Sequence, residues 1–122
     1  MKYHNTPTAC QAGHKHPSIL EANYCDQLAL LVKAGEIKSY KTQVKYGLCV
    51  NNNHVCDHIV DFEVETKDGK KEIHEAKGFQ TAVWRLKFNL FRAIYPGTEY
   101  HIISQNNKNT GDRRRKRART FR

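Results

Sequence analysis

Two alternating runs joined by one turn signal constrain this chain most. His58-Ile59-Val60-Asp61-Phe62-Glu63-Val64 and Lys71-Glu72-Ile73-His74-Glu75-Ala76-Lys77 both read as strands. Lys67-Asp68-Gly69-Lys70 lies between them and contains the Asp-Gly pair of tight hairpins. Side chains alternate along a strand, so Glu75 and Lys77 share a face. A hairpin can bring Asp61 beside them. Two carboxylates and an amine then converge, enough to hold a divalent cation and handle a water molecule. On an exposed strand face the same residues would make only a cross-strand ion pair. Apolar residues around the charged ones, and Gly78 and a helix directly after, raise the metal-site reading, but the residues by themselves leave the ion pair ahead.

The flanking sequence supplies the other elements. Residues 1–16 are polar and read as irregular. Pro17-Ser18 opens a helix in which Ile19, Leu20, Tyr24, Leu28, Leu31 and Val32 recur at helical spacing, and Gly35 closes it. Residues 37–48 read as extended, Asn51-Asn52-Asn53 as a turn, and residues 55–64 as the returning strand. Thr81 is a fair N-cap for a second helix. Val83, Leu86, Leu90 and Ile94 form one stripe on it, widened by Trp84, Phe88, Phe91 and Tyr95, so the helix is expected to be buried over much of its girth. Pro96-Gly97 ends it, and residues 99–104 give a last strand. The order is α-β-β-β-α-β. A final helix-to-strand crossover implies a mixed α/β sheet flanked by helices. With 122 residues, one domain over residues 17–104 accommodates all of this.

Charge is unevenly placed. The net charge is +9. Residues 105–122 hold Lys108, Arg113, Arg114, Arg115, Lys116, Arg117, Arg119 and Arg122 against one acid, Asp112. Residues 1–104 hold thirteen basic and eleven acidic side chains. The body is therefore nearly neutral. The basic run repels itself and is expected to be a disordered tail when free. A polyanion such as nucleic acid is its natural partner, with Arg113, Arg114, Arg115, Lys116 and Arg117 as phosphate contacts. No apolar run is long enough for a membrane span, and the N-terminal residues lack a signal-peptide core. A cytoplasmic location, with reduced cysteines, is the expectation.

Hydrolysis of a phosphodiester at such a site calls for hard oxygen ligands to Mg²⁺ or Mn²⁺. Asp61 and Glu75 supply two, and the Ala76 carbonyl is a plausible third. The metal would lower the pKa of bound water and shield charge on the phosphorane. Lys77 can orient or deprotonate the water, or neutralise the transition state. Glu21, on the first helix, can reach the metal. It also fits the capping box Ser18-Ile19-Leu20-Glu21, and that pattern alone favours capping.

These residues carry a resemblance. Ser18-Ile19-Leu20-Glu21-Ala22-Asn23-Tyr24-Cys25, Val55-Cys56-Asp57-His58-Ile59-Val60-Asp61-Phe62 and Glu75-Ala76-Lys77-Gly78, with the helix bearing Lys87, resemble the PD-(D/E)XK nuclease superfamily and its restriction-endonuclease-like core. Within it the chain is most similar to archaeal-type Holliday junction resolvases and a phage-encoded group. The likeness covers residues 14–104, with Val60 where the motif has proline. It implies that Glu21, Asp61 and Glu75 bind metal, that Lys77 is catalytic, and that Lys87 can contact phosphate. It also implies a homodimer cutting a four-way DNA junction symmetrically, and host cytoplasm if phage-encoded. The alternatives are a nicking or structure-selective nuclease, a non-catalytic nucleic-acid-binding protein, and a zinc-stabilised basic module.

Two further groups compete for attention. Cys10, His14, His16, Cys49, His54, Cys56 and His58 offer thiolate and imidazole ligands for zinc. Cys10 with His14 or His16 and Cys49 is the best-placed set. The spacings match no finger or knuckle, no CxxC occurs, and the balance falls against zinc. The resemblance makes Cys25 and Cys56 small buried residues. Trp84, Phe88 and Phe91 could stack on bases, but they share a stripe with leucine and valine and read as core.

Overall fold

The computed structural model describes residues 7–104 and the backbone of Arg119–Phe121. Two short strands, β1 (Thr8–Ala9) and β2 (Lys15–His16), pair antiparallel. The N-terminal segment is thus not wholly irregular, as its composition suggested. Gly13 takes the turn between them at φ +93°, a conformation that costs a residue with a Cβ.

Helix α1 (Ile19–Lys33) begins where Ser18 Oγ accepts the Glu21 N–H at 3.1 Å, satisfying one of the helix's free amides. Its buried face is Glu21, Ala22, Cys25 and Leu28, while Ile19 and Leu31 of the sequence stripe are exposed. Strands β3 (Ile37–Val50) and β4 (Asn53–Thr66) form a long hairpin. Its turn is Asn51-Asn52, both at positive φ, which asparagine tolerates better than most residues. Asn53 already belongs to the strand. The Asp68-Gly69 turn leads to β5 (Lys71–Ala76), antiparallel to β4.

Helix α2 (Ala82–Ile94) is capped by Thr81 Oγ1, which accepts the Trp84 N–H at 3.0 Å. It carries the chain over to β6 (Glu99–Ile103), parallel to β5. A final strand, β7 (Arg119–Phe121), pairs antiparallel with β6, giving the order β3-β4-β5-β6-β7. The expected α-β-β-β-α-β order and mixed, helix-flanked sheet are present. Three residues of the segment read as a disordered tail form β7. No helix among the described residues is long and apolar enough to cross a membrane.

The helices lie on opposite faces of the sheet at β5. Ile73 packs with Trp84, Phe88 and Phe91 of α2, whereas its neighbour His74 hydrogen-bonds Tyr24 of α1. Alternation along a strand makes these opposite faces. Burial on α2 differs from the expected stripe. Trp84, Phe88 and Phe91 are the core residues, Leu90 and Ile94 are half-buried, and Val83 and Leu86 are exposed. The aromatic rings remove more apolar area from water. They also meet Tyr100 and His58 edge-on or tilted, with Trp84 and Phe88 stacked at 4.9 Å. Burial on this side excludes them as platforms for bases.

One irregularity positions the site. In β4, Val60 packs in the α2 cluster, but Phe62, two residues on, packs in the α1 cluster. Regular alternation would keep both on one face. The change falls at Asp61, where Gln43 of β3 adopts φ +51° between the pairs Thr42↔Phe62 and Val44↔Val60. Pairing of β4 with β5 also stops at Phe62↔His74. The strands part there, and Asp61 and Glu75 are the next residues on each side of the opening.

Candidate active site

Three elements deliver one carboxylate each to this opening. Glu21 comes from the first turn of α1, Asp61 from β4 and Glu75 from β5. Glu21 makes only half of a capping box. Its amide bonds Ser18, but its side chain turns away to other partners. Glu21 Oε2 lies 2.9 Å from His16 Nδ1 and accepts from Gln43 Nε2 at 2.6 Å. The same Gln43 nitrogen is 3.5 Å from Asp61 Oδ1. One amide therefore spans two acids, which explains why a glutamine is held at positive φ here: backbone strain of this kind collects where surrounding contacts fix it.

Asp61 Oδ2 accepts the Ala76 N–H at 3.0 Å. With the ladder broken, this carboxylate takes the amide that a paired strand would have bonded. The sequence pointed to the Ala76 carbonyl as a ligand; the contact present here is made by its amide instead. Glu75 is buried and accepts a hydrogen bond from the Tyr100 hydroxyl. Behind Tyr100 lies His58, with Nε2 at 2.8 Å from the hydroxyl oxygen. Tyr100 has one proton and gives it to Glu75, so His58 Nε2 must carry a proton and donate to Tyr100. Burial, then the charges of Lys87 and Lys77, hold the His58 pKa down to about 4, so the ring is neutral at pH 7.

The electrostatics fit this arrangement. Burial raises the pKa of Glu21 and Asp61 to about 7 and that of Glu75 to about 8. Repulsion adds to it: Glu75 acts on Glu21, Glu21 on Asp61, and Asp61 on Glu75. Lys77 opposes the shift at all three acids. Its Nζ lies 5.4 Å from the centroid of the Trp84 ring, a cation–π distance. Three mutually repelling carboxyls around one lysine lack positive charge. Carboxylate oxygens are the donors a hard divalent cation such as Mg²⁺ or Mn²⁺ takes, but those of Glu21, Asp61 and Glu75 do not all lie within 4.8 Å of one another, so an ion would have to draw them in.

Glu21, Asp61, Glu75 and Lys77 are thus brought together. Lys87 is half-buried on α2, where its charge acts on Asp57 and His58. Arg113, Arg114, Arg115, Lys116 and Arg117 lie outside the described residues. Gln43 and Tyr100 escape a reading of the sequence, and His58 and His16 enter it only as zinc candidates, not as partners of this site. Tyr100 and His58 are 42 positions apart, and no local pattern joins them.

The candidate zinc set also changes. Cys10, His14 and His16 do gather, but Cys49 pairs across the β3–β4 turn with His54, and Cys25 of α1 completes the group. Neither the curated proteins nor the solved structures contain a match to the chain. A family model described as a protein of unknown function, DUF1064, matches residues 1–111, and the chain belongs to that family.

Proposed function

We propose that this protein is a metal-dependent DNA endonuclease, with four-way junctions as substrate and a homodimer as its working form. The observation that supports it best is the convergence of Glu21, Asp61 and Glu75 beside Lys77, with their pKa values raised together. A structural ion-pair network would match acids with bases. This site concentrates acids at a break in the sheet, as a cation-binding centre requires. The resemblance to PD-(D/E)XK nucleases, resting on the same four residues, supports the substrate class.

Asp61 and Glu75 would hold Mg²⁺ or Mn²⁺, with Glu21 assisting. The ion would supply an acidified water and charge neutralisation at the phosphate. The chain's own residues do the rest. The Ala76 amide fixes Asp61, and Tyr100 fixes Glu75, so both carboxylates are oriented before substrate arrives. Gln43 holds Glu21 toward Asp61. Lys77, seated over Trp84, places positive charge where the scissile phosphate gathers negative charge. The basic run from Arg113 to Arg117 grips backbone phosphates, and two copies of the chain address the two opposed strands of a junction.

The test is cleavage of a labelled four-way junction in Mg²⁺, set against matched duplex, flap and single strand. Symmetric junction cutting, lost in Glu75→Gln while junction binding persists, is the expected result. Equal rates on every substrate would leave a nuclease but remove the junction preference. No cutting of any DNA by wild-type protein in Mg²⁺ or Mn²⁺ would overturn the enzyme reading.

A further inference from the structure

Next to the carboxylates, and joined to Glu21 through His16, four side chains converge that the proposed hydrolysis does not use. Cys10, His14, His16 and Cys25 each place one nitrogen or sulfur atom within 4.8 Å of the others. Three of the four residues are buried, and both cysteines are free thiols. His14 Nδ1 lies 3.5 Å from Cys10 Sγ and 3.3 Å from Cys25 Sγ. Zn–S bonds of about 2.3 Å and Zn–N bonds of about 2.1 Å at a tetrahedral angle put sulfur and nitrogen about 3.6 Å apart. The two sulfur–nitrogen separations to His14 are close to that value, and all four atoms lie within 4.8 Å of one another.

A second observation points the same way. His16 Nδ1 bonds the Glu21 carboxylate, and His16 Nε2 is buried with no hydrogen-bond partner. A buried ring nitrogen left unpaired is costly. The Nδ1–H to Glu21 bond leaves Nε2 as a bare lone pair, the tautomer a metal takes. Carboxylate–histidine–zinc relays are built this way. The backbone prepares the rest. The Cys10 N–H bonds the His14 carbonyl at 2.9 Å and the Gly13 N–H bonds the Cys10 carbonyl at 3.0 Å. This tight turn sets Cys10 and His14 side by side. Cys25, one helical turn beyond Glu21, closes the set from α1.

We infer that Cys10, His14, His16 and Cys25 form a structural zinc site, with His14 bound through Nδ1 and His16 through Nε2. The ligands saturate a tetrahedron and leave no open position, so the metal is structural. It ties the β1–β2 hairpin to α1 in a place where the hairpin's two-residue strands could not hold alone. It also links two metal chemistries. The soft thiolate site fixes His16, and His16 fixes one oxygen of Glu21 at the hard-oxygen site. The inference stands without the nuclease reading, since it rests on ligands that the hydrolytic site does not contain.

The experiment is metal analysis of the full chain, purified with a thiol reductant and without added chelator, followed by cobalt substitution. One zinc per chain is expected. Co²⁺ should give the visible bands of a tetrahedral ion and a thiolate charge-transfer band. Two variants keep the test open to failure if a buried ligand proves essential for folding. His14 is exposed, and His14→Ala should fold yet lose more zinc affinity than the roughly 10–100-fold that an outer-shell partner is worth. Glu21→Gln keeps all four ligands and should lose about that 10–100-fold. Protein that binds neither zinc nor cobalt stoichiometrically would overturn the site. So would unchanged affinity in His14→Ala, or a Cys10–Cys25 disulfide in protein kept reduced.

Discussion

The hydroxyl of Tyr100 donates to Glu75 and is itself the acceptor for His58, so a neutral histidine buried under α2 steadies a carboxylate at the break in the sheet. Tyr100→Phe preserves the ring that packs on Phe88 and Phe91 but removes both bonds. His58 Nε2–H is then buried without an acceptor, a loss of about 1–3 kcal/mol in urea unfolding. Glu75 loses its orienting donor, and junction cleavage should fall about tenfold or more at saturating metal. A variant destabilised by this amount but cutting at the wild-type rate would make the chain from His58 purely structural.

The raised carboxyl pKa values carry a pH signature. A carboxyl with a folded-state pKa above its unfolded value binds more protons folded than unfolded, so metal-free stability falls as pH rises between the two. For Glu75 that window runs from 4.5 to about 8, and for Asp61 from 3.8 to about 7. Metal-free protein should therefore lose a few kcal/mol between about pH 4.5 and pH 8 from these groups. Asp61→Asn and Glu75→Gln should each flatten this slope and be more stable than wild type at pH 8. Added Mg²⁺ should raise the wild-type melting temperature more at pH 8 than at pH 5, where protons compete for the oxygens. An equal Mg²⁺ effect at both values would argue that the ion binds elsewhere.

Local signals made most elements legible. Ser18 and Thr81 cap their helices, Asp68-Gly69 turns its hairpin, and Pro96-Gly97 stops α2, each by chemistry that acts within a few residues. Asp61, Glu75 and Lys77 were readable because strand alternation and one hairpin relate them, whereas Glu21 on α1 entered through the resemblance, its own pattern favouring a cap. What remained hidden depends on long-range packing. Val83 and Leu86 are as apolar as a core stripe, yet the aromatic face won because the sheet below offers Tyr100 and His58 to pack on. Cys25 replaced Cys49 in the metal group because the β1–β2 hairpin docks on α1, a contact that no spacing encodes. Gln43 gave no warning either, since glutamine has no preference for positive φ and its conformation is imposed by Glu21 and Asp61.

That imposed conformation can be measured. Gln43→Ala and Gln43→Gly both remove the amide that bonds Glu21, but only glycine adopts φ +51° without penalty. The glycine variant should be about 1 kcal/mol more stable than the alanine variant, the reverse of the usual order in a strand. Both should cut more slowly than wild type, because Glu21 is freed from Asp61. Alanine proving the more stable of the two by urea unfolding would mean that the backbone at Gln43 is not strained.

Lys77 separates the two accounts of its role through charge alone. Its amine sits over Trp84, and its field lowers the pKa of all three acids, which is the behaviour of a fixed cation. An arginine keeps the charge and the stacking but cannot give up a proton near neutral pH. Lys77→Arg should therefore retain cleavage within about tenfold of wild type, while Lys77→Met should lose about 10²–10³, the usual cost of removing one electrostatic stabiliser. The comparison should hold from pH 6 to pH 9, because an electrostatic contribution needs no titration of this side chain. Arginine as inactive as methionine, together with a wild-type rate that climbs with a single ionisation absent from both variants, would instead make Lys77 the group that takes the proton from water.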